Sequence, residues 1–184
     1  MEEATFVERW LAEKDKTIVQ LIPYIVCIDS QGRIFSYSRK GGGEGRLEGK
    51  KSIGIGGHIN NTDLKDSDQK PDWTTVITGA CREVAEETNI PYEYAMKNIV
   101  QVATMYTPTD GESPKTKSTP RVGEVHLGIV YVLKLSEGVL LSPNEGMINP
   151  CMIEHKPADI NKYEFWSQLI LANIGQIIEV GNGE

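Results

Sequence analysis

Three carboxylates crowd the end of one amphipathic helix, and this crowding restricts what the rest of the chain can be. Trp73, Val76, Ile77, Ala80, Cys81, Val84, Ala85 and Thr88 recur at helical spacing, which predicts a helix with one apolar face. Within it, Arg82-Glu83-Val84-Ala85-Glu86-Glu87 puts Glu83 on the same side as Glu86 and Glu87. Like charges at such spacings cost about 0.2–0.5 kcal/mol per pair. Glu86 and Glu87 also fall in the last turn, where the helix dipole disfavours each anion by about 0.3–1 kcal/mol. At about 100° per residue, Glu87 projects inside the edge of the apolar arc and Glu83 borders it. Arg82 neutralises only part of this charge. A solvated acidic face is the plain reading. Carboxylates half-sunk beside a core at a helix end favour the other one, a bound cation.

The chain of 184 residues fits one domain with a sizeable core. Its formal net charge of -7 argues against a general binder of nucleic-acid backbone, though not against small phosphorylated ligands. Cys27, Cys81 and Cys151 have no CxxC spacing, and the first two sit in apolar patterns as small buried hydrophobes. No apolar signal segment opens the chain and no run of about 18 apolar residues occurs, so a cytoplasmic protein with no membrane partner is expected.

Residues 3–14 read as a short helix within an N-terminal extension over 1–17. Strands are predicted at Gln20–Asp29, Arg33–Ser38, Ser52–Ile55, Asn98–Tyr106, Val122–Leu135 and Val139–Leu141. Pro23 suggests an edge or bulge in the first of these. Val122–Leu135 is apolar on both faces and hence central, with Glu124 and His126 alternating onto one face. Gly49-Lys50-Lys51-Ser52 fails as a P-loop, because Glu44 stands at the leading glycine position and Lys51 where Ser or Thr is needed. Asp72 is a natural N-cap for the acidic helix, and Asn89 is suited to a left-handed stop before Pro91. Residues 163–178 form a closing helix, counted with its flanks as 162–180. The order of elements predicts an α+β fold, a mixed β-sheet sandwiched between helices.

Gly56-Gly57-His58-Ile59, followed by Arg82-Glu83-Val84-Ala85-Glu86-Glu87-Thr88-Asn89-Ile90, resembles the Nudix box of Nudix hydrolases. Two departures stand out. Gly57 to Arg82 is 25 positions (82 − 57) against 14 in the pattern, an insertion of 11 residues. Depending on where the insertion lies, the box Glu that orients the Arg is replaced by Asp63 or falls on Thr74. Asn89 stands for the box Gly.

The resemblance implies that Glu83, Glu86 and Glu87 bind Mg²⁺ or Mn²⁺, with Gly56 or Gly57 adding a backbone carbonyl, and that Arg82 steadies the carboxylates. It implies hydrolysis of a nucleoside diphosphate linked to another group, with Gly56, Gly57 and His58 near the phosphates. Glu86 is one candidate base. Outside the box Glu124 comes first, with Glu112 and Glu145 behind it. His126 reads as a strand-filling residue, and Trp73 and Trp166 as core. A non-catalytic nucleotide-ligand sensor is a second reading, disfavoured because all three glutamates remain. An isopentenyl diphosphate isomerase is a third, and it lacks the expected Cys-His context. Nudix proteins are often homodimers, and the N-terminal helix could serve such an interface.

Overall fold

The computed structural model describes residues 4–40, 49–65, 70–109, 120–144, 146–157 and 159–183. Glu112 and Glu145 lie outside these residues.

In chain order the elements are α1 (Arg9–Ala12), β1 (Gln20–Ile28), β2 (Ile34–Arg39), β3 (Lys51–Ser52), β4 (Gly54–Ile55), a 3-10 turn (Asn61–Asp63), α2 (Trp73–Glu87), α3 (Tyr92–Asn98), β5 (Ile99–Tyr106), α4 (Val122–Val125), β6 (His126–Lys134), β7 (Met147–Ile153), a second 3-10 turn (Ile160–Lys162), α5 (Phe165–Ala172) and α6 (Ile174–Asn182). β1 and β6 run parallel at the centre, in register from Gln20 opposite His126 to Ile28 opposite Lys134. The sheet order is β3-β2-β1-β6-β5, with β4 added on β1 and β7 on β2. The other pairings between these strands are antiparallel.

Side-chain alternation divides the two central strands between two cores. Ile25, Cys27, Ile129, Tyr131 and Leu133 pack under α2 and α3 with Val76, Ala80, Cys81 and Val84. Tyr24, Val26, Ile28, Val130 and Val132 pack under α5 and α6 with Trp166, Ile170, Ile174 and Ile177. Burial on both faces explains why these strands read as continuous apolar runs. The fold is therefore a mixed sheet between two helical layers.

Several expectations are corrected. The N-terminal helix shrinks to the four residues of α1, of which only Ala12 is buried. With Trp10 and Leu11 exposed, no tertiary packing offsets the cost of starting a longer helix. The closing helix is two helices broken at Asn173, whose side chain donates to the Leu169 carbonyl at 2.9 Å. Val122–Val125 is a helical turn rather than the start of β6, because the Glu124 carboxylate accepts the Arg121 N–H and curls the chain. Residues 92–98, left without a structure by the sequence, form α3, and no strand occurs at 139–141.

Asn89 does not take a left-handed stop. The helix ends at Thr88 in extended backbone, with the Thr88 hydroxyl donating to the Val84 carbonyl at 2.7 Å. Asn89 instead ties the helix end to the 140–142 loop, donating to the Leu140 carbonyl and accepting from the Ser142 N–H. Trp73 is 50% exposed, since the buried stripe of α2 begins only at Thr75. Pro23 lies in a central strand, ahead of the residues that pair with β4 and β2.

Candidate active site

Asp72 starts α2 by accepting the Thr75 N–H at 2.9 Å, while the Thr75 hydroxyl accepts from the Asp72 N–H. This fixes the helix register. Val76, Ala80 and Val84 then face the sheet, and Arg82, Glu83 and Glu86 are carried along the flank facing the 56–63 loop.

Arg82 is the hub. Its Nε donates to Asp63 Oδ1 at 2.8 Å and its Nη2 to Asp63 Oδ2 at 3.1 Å. Nη2 also reaches the His58 carbonyl at 3.0 Å. Nη1 donates to Glu83 Oε1 at 2.9 Å and to Glu86 Oε2 at 2.8 Å. Asp63 is 1% exposed and also accepts the Asn60 N–H at 2.9 Å. A buried carboxylate with a two-pronged guanidinium partner is held in one geometry.

Glu83 is 9% exposed, and burial pushes its carboxyl above the ordinary 4.5, opposed by Arg82 and reinforced by Glu86 and Glu87. The main chain of Gly57 lies directly against it: a Cβ there would sit 2.5 Å from Glu83 Oε2. Gly56 precedes it at the end of β4, against the Pro23 carbonyl. Glu86 is exposed and Glu87 half-buried, and the Asn144 N–H caps the Glu87 carbonyl at 2.8 Å. The oxygens of Glu83, Glu86 and Glu87 do not all draw within 4.8 Å of one another; among the described residues the group that does so is Glu13, His58 and His126.

Beside the helix lies a cleft of about 220 Å³ lined by Tyr24, Arg39, Gly56, Gly57, His58, His126, Glu164 and Trp166 among others. At its base, buried Glu164 accepts from the Tyr24 hydroxyl at 2.8 Å and lies 3.4 Å from Arg39 Nε. Trp166 is core, with its indole N–H donating to the Thr107 hydroxyl at 3.1 Å. Glu13, Arg39 and Glu164 carried no local sequence signal, because each is brought here by its strand or helix from a distant part of the chain.

Glu124 is not among the residues lining the cleft. Lys16 Nζ contacts its carboxylate at 2.6 Å and holds it below the ordinary range, as does the Arg121 N–H.

No protein-family model matches the chain. It is 34% identical over 167 residues to Protein YmaB of Bacillus subtilis (strain 168), covering 87% of this chain and 73% of that one. A Caenorhabditis elegans Ap4A hydrolase has the same fold, with a TM-score of 0.55 at 14% identity over 88% of this chain and 98% of the other. Tm1382, a candidate Nudix hydrolase, superposes with a TM-score of 0.57 at 25% identity, covering 92% of this chain and 78% of its own. The chain belongs to the Nudix hydrolase family.

In this Nudix protein, Asp63 reaches Arg82 across the intervening residues because the Asn61–Asp63 turn packs on α2 at Gly79. A Cβ at Gly79 would lie 2.9 Å from Asp63 Oδ2. No described helix of this Nudix protein is long and apolar enough to cross a membrane.

Proposed function

We propose that the chain hydrolyses a phosphoanhydride bond in a nucleoside diphosphate linked to a second group, in a reaction dependent on Mg²⁺ or Mn²⁺. The observation that carries this reading is the desolvated Glu83 pressed against the Gly57 main chain, near the end of a helix that carries three carboxylates, Glu83, Glu86 and Glu87, and one cation, Arg82. Such an all-oxygen donor set suits a hard, hydrated divalent ion. Glu83, Glu86, Glu87 and the Gly57 carbonyl would hold it. When bound, the ion supplies charge neutralisation at the phosphate oxygens and acidifies water.

The chain's own residues do the rest. Asp63 fixes Arg82, and Arg82 fixes the Glu83 and Glu86 carboxylates through Nη1. Glu86, exposed at the helix end, would accept the proton of the attacking water. The cleft beside Gly56, Gly57 and His58 would receive the substrate, with Arg39 as a cation in its wall.

The test is phosphate release from a panel of nucleoside diphosphate derivatives with Mg²⁺ or Mn²⁺, comparing wild type with Glu86→Gln and Glu87→Gln. Wild type should turn over a member of the panel, and the variants should lose at least about 10²-fold, the scale of general-base removal. Equal activity in all three proteins, or activity indifferent to a chelator, sinks the reading. Tight binding without hydrolysis would identify a ligand sensor instead.

A further inference from the structure

Glu13 just after α1, His58 just after Gly57 and His126 opening β6 come from three distant segments and meet at the wall of the cleft. Glu13 Oε1 lies 3.7 Å from His58 Nε2 and 3.8 Å from His126 Nε2, and one donor atom of each residue falls within 4.8 Å of the others. The two imidazoles sit edge to face, with centroids 5.5 Å apart.

The tautomer of His126 follows from its partner. Its Nδ1 is 2.8 Å from the Val122 carbonyl, and a carbonyl only accepts, so Nδ1 carries a hydrogen, which in the neutral ring leaves the lone pair on Nε2. This is the arrangement of a metal-binding histidine, oriented by a main-chain carbonyl behind it. The Gln20 amide nitrogen lies 3.2 Å from that Nε2. His58 supplies the second sign: its Nε2 is buried with no partner within hydrogen-bond distance, the Glu13 carboxylate standing off at 3.7 Å. A buried polar atom of this kind needs an explanation. Arg9 Nε is 3.6 Å from the same Glu13 oxygen, but its side chain is 65% exposed and can turn into solvent.

We propose that Glu13, His58 and His126 form a second divalent-cation site, apart from the box glutamates, that takes a borderline transition ion of the Zn²⁺ class. Two imidazoles and one carboxylate select such an ion over Mg²⁺, which the all-oxygen box prefers. Tetrahedral bonds of about 2.1 Å place ligands about 3.4 Å apart, so the observed spacings need only a small inward movement of side chains. Three protein ligands leave coordination positions open, and since all three residues line the cleft, those positions face its occupant. The ion would also clip the N-terminal segment onto the glycine loop and the central strand. The proposal uses no box glutamate, and only the statement about the cleft's occupant rests on the proposed function.

The experiment titrates Zn²⁺ into metal-free protein by calorimetry against a competing chelator, and records the visible spectrum of the Co²⁺-loaded form. The proteins are wild type, Glu13→Gln, His58→Ala, His126→Asn and the double variant Glu86→Gln/Glu87→Gln. Wild type and the double variant should bind one Zn²⁺ and show the ligand-field bands of Co²⁺ held by nitrogen. Each of the other three should weaken binding by more than the about 10–100-fold that loss of an outer-shell partner costs. His126 is deeply buried, so circular dichroism checks its fold, and the partly exposed Glu13 and His58 carry the decision. A folded His58→Ala with wild-type Zn²⁺ affinity overturns the proposal. Loss of the Co²⁺ bands only in the double variant also overturns it, because the ion would then sit on the box. Absence of Zn²⁺ binding in wild type does the same. The double variant losing hydrolysis while keeping Zn²⁺ would separate the two sites.

Discussion

Arg82 and Asp63 form a two-pronged pair, Nε to Oδ1 at 2.8 Å and Nη2 to Oδ2 at 3.1 Å, with Asp63 almost wholly out of water. Removing one partner of such a pair leaves the other charge poorly compensated, at a cost of about 3–5 kcal/mol when both are fully buried. Arg82 keeps its links to Glu83 and Glu86, which lessens the loss. Asp63→Ala should therefore destabilise the protein by about 2–3 kcal/mol in urea unfolding. It should lower Mg²⁺ affinity as well, because Arg82 loses the partner that sets its angle. An unchanged urea midpoint would show that the pair contributes nothing.

Gly79 lies inside α2, where helix propensity alone makes Ala more stable than Gly by about 1 kcal/mol. Here the sign should reverse. The added Cβ would lie 2.9 Å from Asp63 Oδ2 and 3.4 Å from Ile59 Cγ1, and Asp63 cannot retreat while bonded to Arg82 and the Asn60 N–H. Gly79→Ala should cost about 1–3 kcal/mol, the usual range for overpacking, read as a lower urea midpoint at unchanged slope. A gain in stability would mean the turn at 61–63 yields easily.

Burial raises the Glu83 carboxyl above its ordinary 4.5, and that sets the sign of a pH effect. A raised folded-state pKa means the ionised group costs stability. The cost is fully present above the folded value and is relieved as pH falls through it toward 4.5. Glu83→Gln in metal-free protein should raise Tm at pH 7 by about 1–3 °C, and the gain should shrink as pH falls through the folded value toward 4.5. Mg²⁺ should lift the Tm of wild type but not of this variant. A lower Tm for Glu83→Gln at pH 7 would contradict the argument.

The three thiols should separate by accessibility. Cys151 is exposed on β7, whereas Cys27 and Cys81 are buried in the core under α2. Burial pushes the Cys27 thiol up to about 12, so thiolate is scarce there at neutral pH. A disulfide reagent should titrate one thiol in the native protein and all three in denaturant. Fast reaction of a second native thiol would mean that the helical layer opens readily.

The helix from Trp73 to Glu87 and its Asp72 cap were legible in the sequence, as was the central apolar strand, because these depend on local periodicity and a side chain three residues away. The box glutamates were legible for the same reason: their anomaly lies within a single turn of helix. Chain ends and breaks were less so. Asn89 could have stopped the helix by its backbone, but the loop at 140–142 offered its side chain better partners, and Thr88 ended the helix instead.

By itself, then, the sequence determined a mixed α+β architecture and a carboxylate-rich helix end, since both follow from patterns read along a few consecutive turns. Only the tertiary structure decided what Arg82 holds and what meets it: Asp63 from 19 positions earlier, and the Glu13, His58 and His126 cluster at the cleft wall. The reason is that periodicity assigns a residue to a face, whereas side chains far apart in the chain meet only through sheet register and helix packing. Parallel pairing of β1 with β6 sets Gln20 beside His126, and antiparallel pairing of β4 with β1 brings the glycine loop to the same strand.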